Sequence, residues 1–286
     1  MMDFRQLAAL GSQVGESPLW DERRGVLFVC DILGPSIHQI ALDGTVERNW
    51  TFDRTVGSLG LAESGRLVVA LGRDIVVFDP DSGGITPLAT APEPETSRLN
   101  DGKVGPDGCF YVGSMDDRTV KEPVGALYRV RGSGAIEAVA AGVTVSNGLA
   151  WSPDGRRLYY SDSRGPTIDT FAFDPDTGRL SDRRRFATLD DATGRPDGGA
   201  CDSEGCYWSA GVSAGVLNRF SPEGDLVARY PTPARAPTMP CFCGADLTLL
   251  VVTSLSAGQP ATGLEGHVFI APSPVAGAAI ARVKGL

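Results

Sequence analysis

A chain of 286 residues, 42% of them hydrophobic, is long enough to bury a large core. Its net charge of −9 and pI near 4.8 argue against nucleic acid or an anionic membrane as partner, because neither would meet a basic stripe. No apolar run reaches membrane-spanning length, and Met1-Met2-Asp3-Phe4-Arg5 lacks a cationic segment followed by an apolar one, so a soluble, cytoplasmic protein is expected, with no membrane partner.

Along the chain, an apolar segment repeatedly ends in a short polar turn closed by glycine and leads into a run rich in β-branched, leucine or aromatic residues. The turns are Asp21-Glu22-Arg23-Arg24-Gly25, Glu63-Ser64-Gly65, Pro106-Asp107-Gly108, Pro153-Asp154-Gly155 and Ser203-Glu204-Gly205. Their glycines are spaced by 40, 43, 47 and 50 residues, and a degenerate sixth copy follows at Cys243-Gly244-Ala245-Asp246. That period belongs to propellers and other repeat arrays.

Each copy predicts a first strand, a glycine hairpin, a second strand and a third. Second strands are predicted at 26–29, 67–70, 109–112, 158–160, 206–208 and 249–252, and third strands at 37–40, 75–78, 126–130, 168–173, 216–220 and 267–270. Runs this apolar need cover on both faces, which sheets stacked around an axis supply. No amphipathic helix is evident, and 36 Gly with 20 Pro suit many short strands and turns. The expected fold is all-β, a six-bladed propeller of four-stranded antiparallel blades formed by residues 1–286 as one domain. A β-sandwich or two small β domains would need a place to split the chain, and no linker offers one.

Cys30, Cys109, Cys201, Cys206, Cys241 and Cys243 lie mostly in or beside predicted strands, and the one-residue spacing in Cys241-Phe242-Cys243 does not suit zinc, so buried reduced thiols are expected. The only histidines, His38 and His267, fall in third strands of different copies. Catalysis would therefore run on carboxylates, amides and a hard cation rather than on a Ser-His-Asp triad.

The repeat also serves as a ruler. Eight residues before Gly108, Gly155 and Gly205 stand Asn100, Asn147 and Asp197, and nine before Gly25, whose turn is one longer, stands Glu16. Each precedes by four residues an apolar or aromatic strand residue, Val104, Trp151, Cys201 or Trp20. Gly57 holds the position in the second copy, and Thr238 or a neighbour in the sixth. First strands line the channel of a propeller, so these residues should ring one mouth of it. Like charges so close need a cation or a proton. Two carboxylates with amide oxygens, and neither sulfur nor imidazole, suit one divalent ion such as Ca²⁺, Mg²⁺ or Mn²⁺, with zinc or ferrous iron less typical. Few protein ligands would leave positions for water and substrate.

At Gly15-Glu16-Ser17-Pro18-Leu19-Trp20, Arg98-Leu99-Asn100-Asp101-Gly102-Lys103, Gly125-Ala126-Leu127-Tyr128, Ser146-Asn147-Gly148-Leu149-Ala150-Trp151-Ser152 and Pro196-Asp197-Gly198-Gly199, the chain resembles the senescence-marker/regucalcin and gluconolactonase family of six-bladed propeller lactonases. The resemblance implies that Glu16, Asn147 and Asp197 hold the metal and that Asp197 is also the general base. It implies that Arg98 and Asn100 bind substrate. The family also uses an acid in the loop after the second strand of this blade; in residues 115–123 an arginine, Arg118, stands where a direct count would put it, and Asp117 is assigned the substrate-binding role.

The implied function is metal-dependent hydrolysis of a sugar-acid lactone, such as glucono-, galactono-, xylono- or arabinonolactone, by a monomer or weak homo-oligomer. The alternatives are a Ca²⁺-dependent phosphotriesterase or aryl esterase at the same site, and a Ca²⁺-binding propeller without catalysis.

Overall fold

The structure is a computed structural model that describes residues 2–259 and 263–286. Among them, 24 strands form six antiparallel sheets of four, and there is no α-helix. The innermost strands of the six blades are Gly15–Asp21, Val56–Leu61, Ser97–Val104, Ser146–Trp151, Pro196–Cys201 and Pro237–Cys243. Five blades are built from consecutive strands running outward. The sixth takes its outermost strand from the other end of the chain, where Arg5–Ala8 pairs with Val268–Pro272 and closes the ring.

The predicted second and third strands are present within a few residues. The second strand of the third blade runs on to Asp116, so Met115 and Asp116 lie in the strand rather than in the loop that sequence suggested. The ruler glycines, Gly25, Gly65, Gly108, Gly155 and Gly205, all turn with φ between +68° and +85°, a conformation that a side chain would strain. The outermost strands read differently. Val46–Thr51, Ile85–Thr90, Leu180–Thr188 and Leu226–Pro231 are largely exposed, because only one edge and part of one face meet the blade.

Apolar side chains fill the spaces between neighbouring blades. Leu19 and Phe28 of the first blade pack with Val56 and Val69 of the second. Tyr159 of the fourth stacks on Tyr207 of the fifth, centroids 4.5 Å apart and rings 10° from parallel. All six cysteines are free and buried, as expected.

The C-terminal segment straps the ends of the inner strands that lie away from Glu16, Asn100, Asn147 and Asp197. Ala278 N–H donates to Cys201 O, Val283 N–H to Leu61 O and Lys284 N–H to Gly108 O, while Arg282 pairs with Asp21 and Glu22. The strap thereby ties four blades together across one mouth of the channel.

Candidate active site

In every inner strand the pairing with the second strand slips by one residue near the strand's start. The slips fall between Glu16 and Leu19, Val56 and Ser58, Leu99 and Gly102, Asn147 and Ala150, Pro196 and Gly199, and Pro237 and Pro240. Such a bulge frees a residue from the regular alternation and re-aims its side chain. Two backbones carry the cost openly. Ser17 after Glu16 has φ +49°, unusual for a residue with a side chain, and Gly148 after Asn147 has φ +67°. A Cβ on Gly148 would meet Ser161 Oγ at 2.3 Å and Tyr207 OH at 2.5 Å, so only glycine fits. In the second blade the glycine has a different reason: a Cβ on Gly57 would meet Leu99 O at 2.7 Å and Asn100 O at 2.9 Å, in the neighbouring strand that carries site residues.

Asn100 and Asp197, inside these slips, converge with Glu16, Arg98 and Asn147, the paired residues just before them. Glu16, Arg98, Asn100, Asn147 and Asp197 line one pocket of ≈ 720 Å³ of empty space, part of it open to solvent. One donor chain crosses it: Arg98 Nη1 donates to Asn100 Oδ1 (2.7 Å), Asn100 Nδ2 to Asn147 Oδ1 (3.1 Å), Asn147 Nδ2 to Ser163 Oγ (2.8 Å) and Ser163 Oγ to Pro196 O (2.6 Å). The chain fixes both amides, leaving the Asn147 oxygen with a spare lone pair. Asp117 is half exposed and accepts from Arg98 Nε at 3.1 Å, so it reaches the pocket through Arg98.

The carboxylates are under strain of charge. Burial pushes Glu16 well above the usual carboxylate range, with Asp197 and Asp101 adding to the rise and the Ser17 N–H and Lys103 opposing it. Burial and then Asp101 do the same to Asp197, against Arg195 and Arg98. Asp101 is itself raised by burial and partly relieved by Lys103. Glu16 Oε2 accepts the Ser17 N–H at 2.7 Å, but buried Glu16 Oε1 has no partner, and neither Asp197 oxygen receives a hydrogen bond among the described residues. With Asn147 Oδ1 beside them, these acceptors fit a hard divalent cation: oxygen donors only, and two negative charges to balance two positive. Of these three candidate ligands only two are carboxylates, and the described residues hold no cluster of three from His, Cys, Asp and Glu.

The sequence reading missed the residues that hold the strand starts carrying Glu16 and Asn147. Asp31, at the end of a second strand, accepts from Gln13 N–H (2.8 Å) and Val14 N–H (3.0 Å), just ahead of Glu16. Asp162 does the same in the fourth blade, accepting from Thr144 N–H (2.8 Å) and Val145 N–H (3.0 Å) just ahead of Asn147. The signal was there: Asp31 and Asp162 stand 15 residues after Glu16 and Asn147 respectively, at matching repeat positions. Also missed were the pocket cations Lys121, Arg164 and Arg195.

Residues 14–256 match the family described as SMP-30/Gluconolactonase/LRE-like region. The chain is 37% identical to the 6-deoxy-6-sulfogluconolactonase of Pseudomonas putida over 88% of its length and 87% of the relative's. Among solved structures, a calcium-binding protein, regucalcin, from Agrobacterium tumefaciens superposes with a TM-score of 0.92 at 24% identity, covering 99% of this chain and 98% of that one. A gluconolactonase from Xanthomonas campestris has a TM-score of 0.76 at 26% identity, over 95% and 89% of the two chains. Family and relatives support a sugar lactonase, and the chain belongs to the SMP-30/gluconolactonase/LRE-like family.

Proposed function

We propose that the pocket opens the lactone of a sugar acid to the free acid, with one divalent cation held by Glu16, Asn147 and Asp197. The carrying observation is the set of unpartnered oxygens, Glu16 Oε1 and both of Asp197, turned to one pocket beside a spare lone pair of Asn147. The names of the Pseudomonas and Xanthomonas relatives favour an aldonolactone, and Ca²⁺ is the first candidate from the Agrobacterium protein. Arg98 and Asn100 favour a hydroxylated ring over an apolar ester.

When bound, the cation supplies Lewis acidity at the lactone carbonyl oxygen. Arg98, held by Asp117 and Asn100, binds ring oxygens together with Asn100 and turns the carbonyl carbon toward a water molecule. Asp197 takes a proton from that water at Oδ as the water oxygen bonds to the carbonyl carbon. The adduct collapses with cleavage of the ring C–O bond, and the proton passes from Asp197 to the departing ring oxygen, which becomes a hydroxyl.

The test is a panel of glucono-, galactono-, xylono- and arabinonolactone followed by acid release, before and after chelation and with Ca²⁺, Mg²⁺, Mn²⁺ or Zn²⁺ restored. Acceleration over spontaneous opening that disappears with chelator is the expected result; no acceleration with any cation overturns the assignment. Asp162→Ala tests the clamp. Loss of the Thr144 and Val145 anchor is expected to weaken cation affinity about 10–100-fold, as loss of a partner that orients a ligand does. Titration calorimetry would count against the clamp if affinity stayed within about twofold of the unsubstituted protein, well short of that range.

A further inference from the structure

The pocket wall is uneven in charge. Lys121 from the third blade, Arg164 from the fourth and Arg195 from the fifth line it beside Met115, Val145 and Val212 of the same blades, while the first and sixth blades add no cation. In a chain of net charge −9 such a grouping is unexpected. The nearby acids are engaged elsewhere: Asp117 pairs with Arg98, Asp116 and Glu122 pair with Arg118, and Asp162 accepts backbone N–H groups, that of Arg164 among them. No carboxylate lies within ion-pair distance of Lys121, Arg164 or Arg195 among the described residues. Lys121 Nζ instead donates to the carbonyl oxygens of Asp116 (2.7 Å) and Arg118 (3.2 Å).

Glu16 and Asp197 could offset part of this charge, but a divalent cation between them uses up both negative charges. The loaded pocket would then keep three cations without an ion-pair partner; burial, Arg98 and Arg164 oppose the charge of Lys121, and Asp117 and Asp116 support it from beyond ion-pair distance. Mutual repulsion of this kind is relieved by an anion.

We infer that the substrate is a sugar lactone bearing an anionic group remote from its carbonyl, a phosphate, sulfonate or second carboxylate, received by Lys121, Arg164 and Arg195. The inference rests on the lactonase reading for its chemistry and on the cationic wall for its charge.

The test compares kcat/KM of the cation-loaded protein for gluconolactone, 6-phosphogluconolactone, 6-deoxy-6-sulfogluconolactone and glucarolactone. The charged lactones are expected to be preferred by about tenfold or more at low salt, with the preference shrinking in about 0.5 M NaCl, where the Debye length falls to a few ångströms. Which anion is preferred identifies the group. In the Arg164→Gln/Arg195→Gln double variant, kcat/KM for the charged lactone should fall far more than for gluconolactone. Equal use of gluconolactone, or a ratio unchanged by the double variant, overturns the inference. If no lactone is opened, the lactonase reading fails by itself, and calorimetric binding of 6-phosphogluconate against gluconate decides the charge question. Tighter binding of 6-phosphogluconate that is lost in the double variant supports the anion wall, and equal binding refutes it.

Discussion

Asp197→Asn is expected to slow lactone opening by at least about 10²–10⁴-fold, the range for a lost general base, and to make the cation-free protein more heat-stable. The two effects share one cause. Burial and neighbouring carboxylates raise Glu16 and Asp197 above the ordinary carboxylate range. For a group raised on folding, the stability it contributes is fully present below its unfolded pKa, about 4, and is lost as pH rises through the folded value. The cation-free protein should therefore weaken from about pH 4 upward, and the Asn variant should weaken less. A bound cation offsets the crowding, so Ca²⁺ should raise the melting temperature of the unsubstituted protein more at pH 8 than at pH 5. Thermal denaturation at both pH values, with and without Ca²⁺, checks this. A cation-free variant that melts with the same pH slope as its parent would remove the electrostatic argument, and retained activity would remove Asp197 from the mechanism.

Asp202→Ala is expected to be among the most destabilising single changes, by about 2–5 kcal/mol, the cost of leaving several buried donors without their acceptor. Asp202 is fully buried just after the fifth inner strand. It accepts from the indole Nε1 of Trp208 (2.8 Å), from Arg219 Nε (2.8 Å) and from the backbone N–H groups of Glu204 (3.0 Å) and Cys206 (2.9 Å). Without it the indole loses its acceptor and the guanidinium keeps only Glu204, beside a packed stack in which Trp208 lies 5.2 Å from Tyr230 and 7° from parallel. Asp21 with Arg282 and Asp107 with Arg129 repeat the arrangement in other blades. Urea unfolding measures the change; a loss below about 1 kcal/mol would mean that the pocket relaxes or admits water.

The glycine turns made blade number and the inner ring legible, because a hairpin that needs positive φ leaves a residue the eye can count from. Glu16, Asn100, Asn147 and Asp197 were found that way, and the pocket gathers all four. The ruler could not see the clamps, since Asp31 and Asp162 act by holding backbone N–H groups in the strand-start ahead of Glu16 and Asn147, a relation that appears only when two segments are laid side by side. Nor could it see Lys121, Arg164 and Arg195. They come from loops whose lengths differ between blades, and an exposed arginine in a loop looks in sequence like any solvated charge. The outermost strands were hidden for a related reason: partly solvated, Leu180–Thr188 reads as Leu-Ser-Asp-Arg-Arg-Arg-Phe-Ala-Thr, with little apolar alternation to mark it.

The closure of the ring by Arg5–Ala8 has a consequence for the birth of the protein. During synthesis the first five blades can each assemble from neighbouring residues as they leave the ribosome, but Arg5 must wait for Ile270 and Gln6 for Phe269. Until then the growing ring has an idle N-terminal strand and an open seam, which is the interval in which an unpaired edge can meet another chain instead of its own. The last step costs the loop entropy of nearly the whole chain, and completes the barrier that separates the finished ring from an opening one.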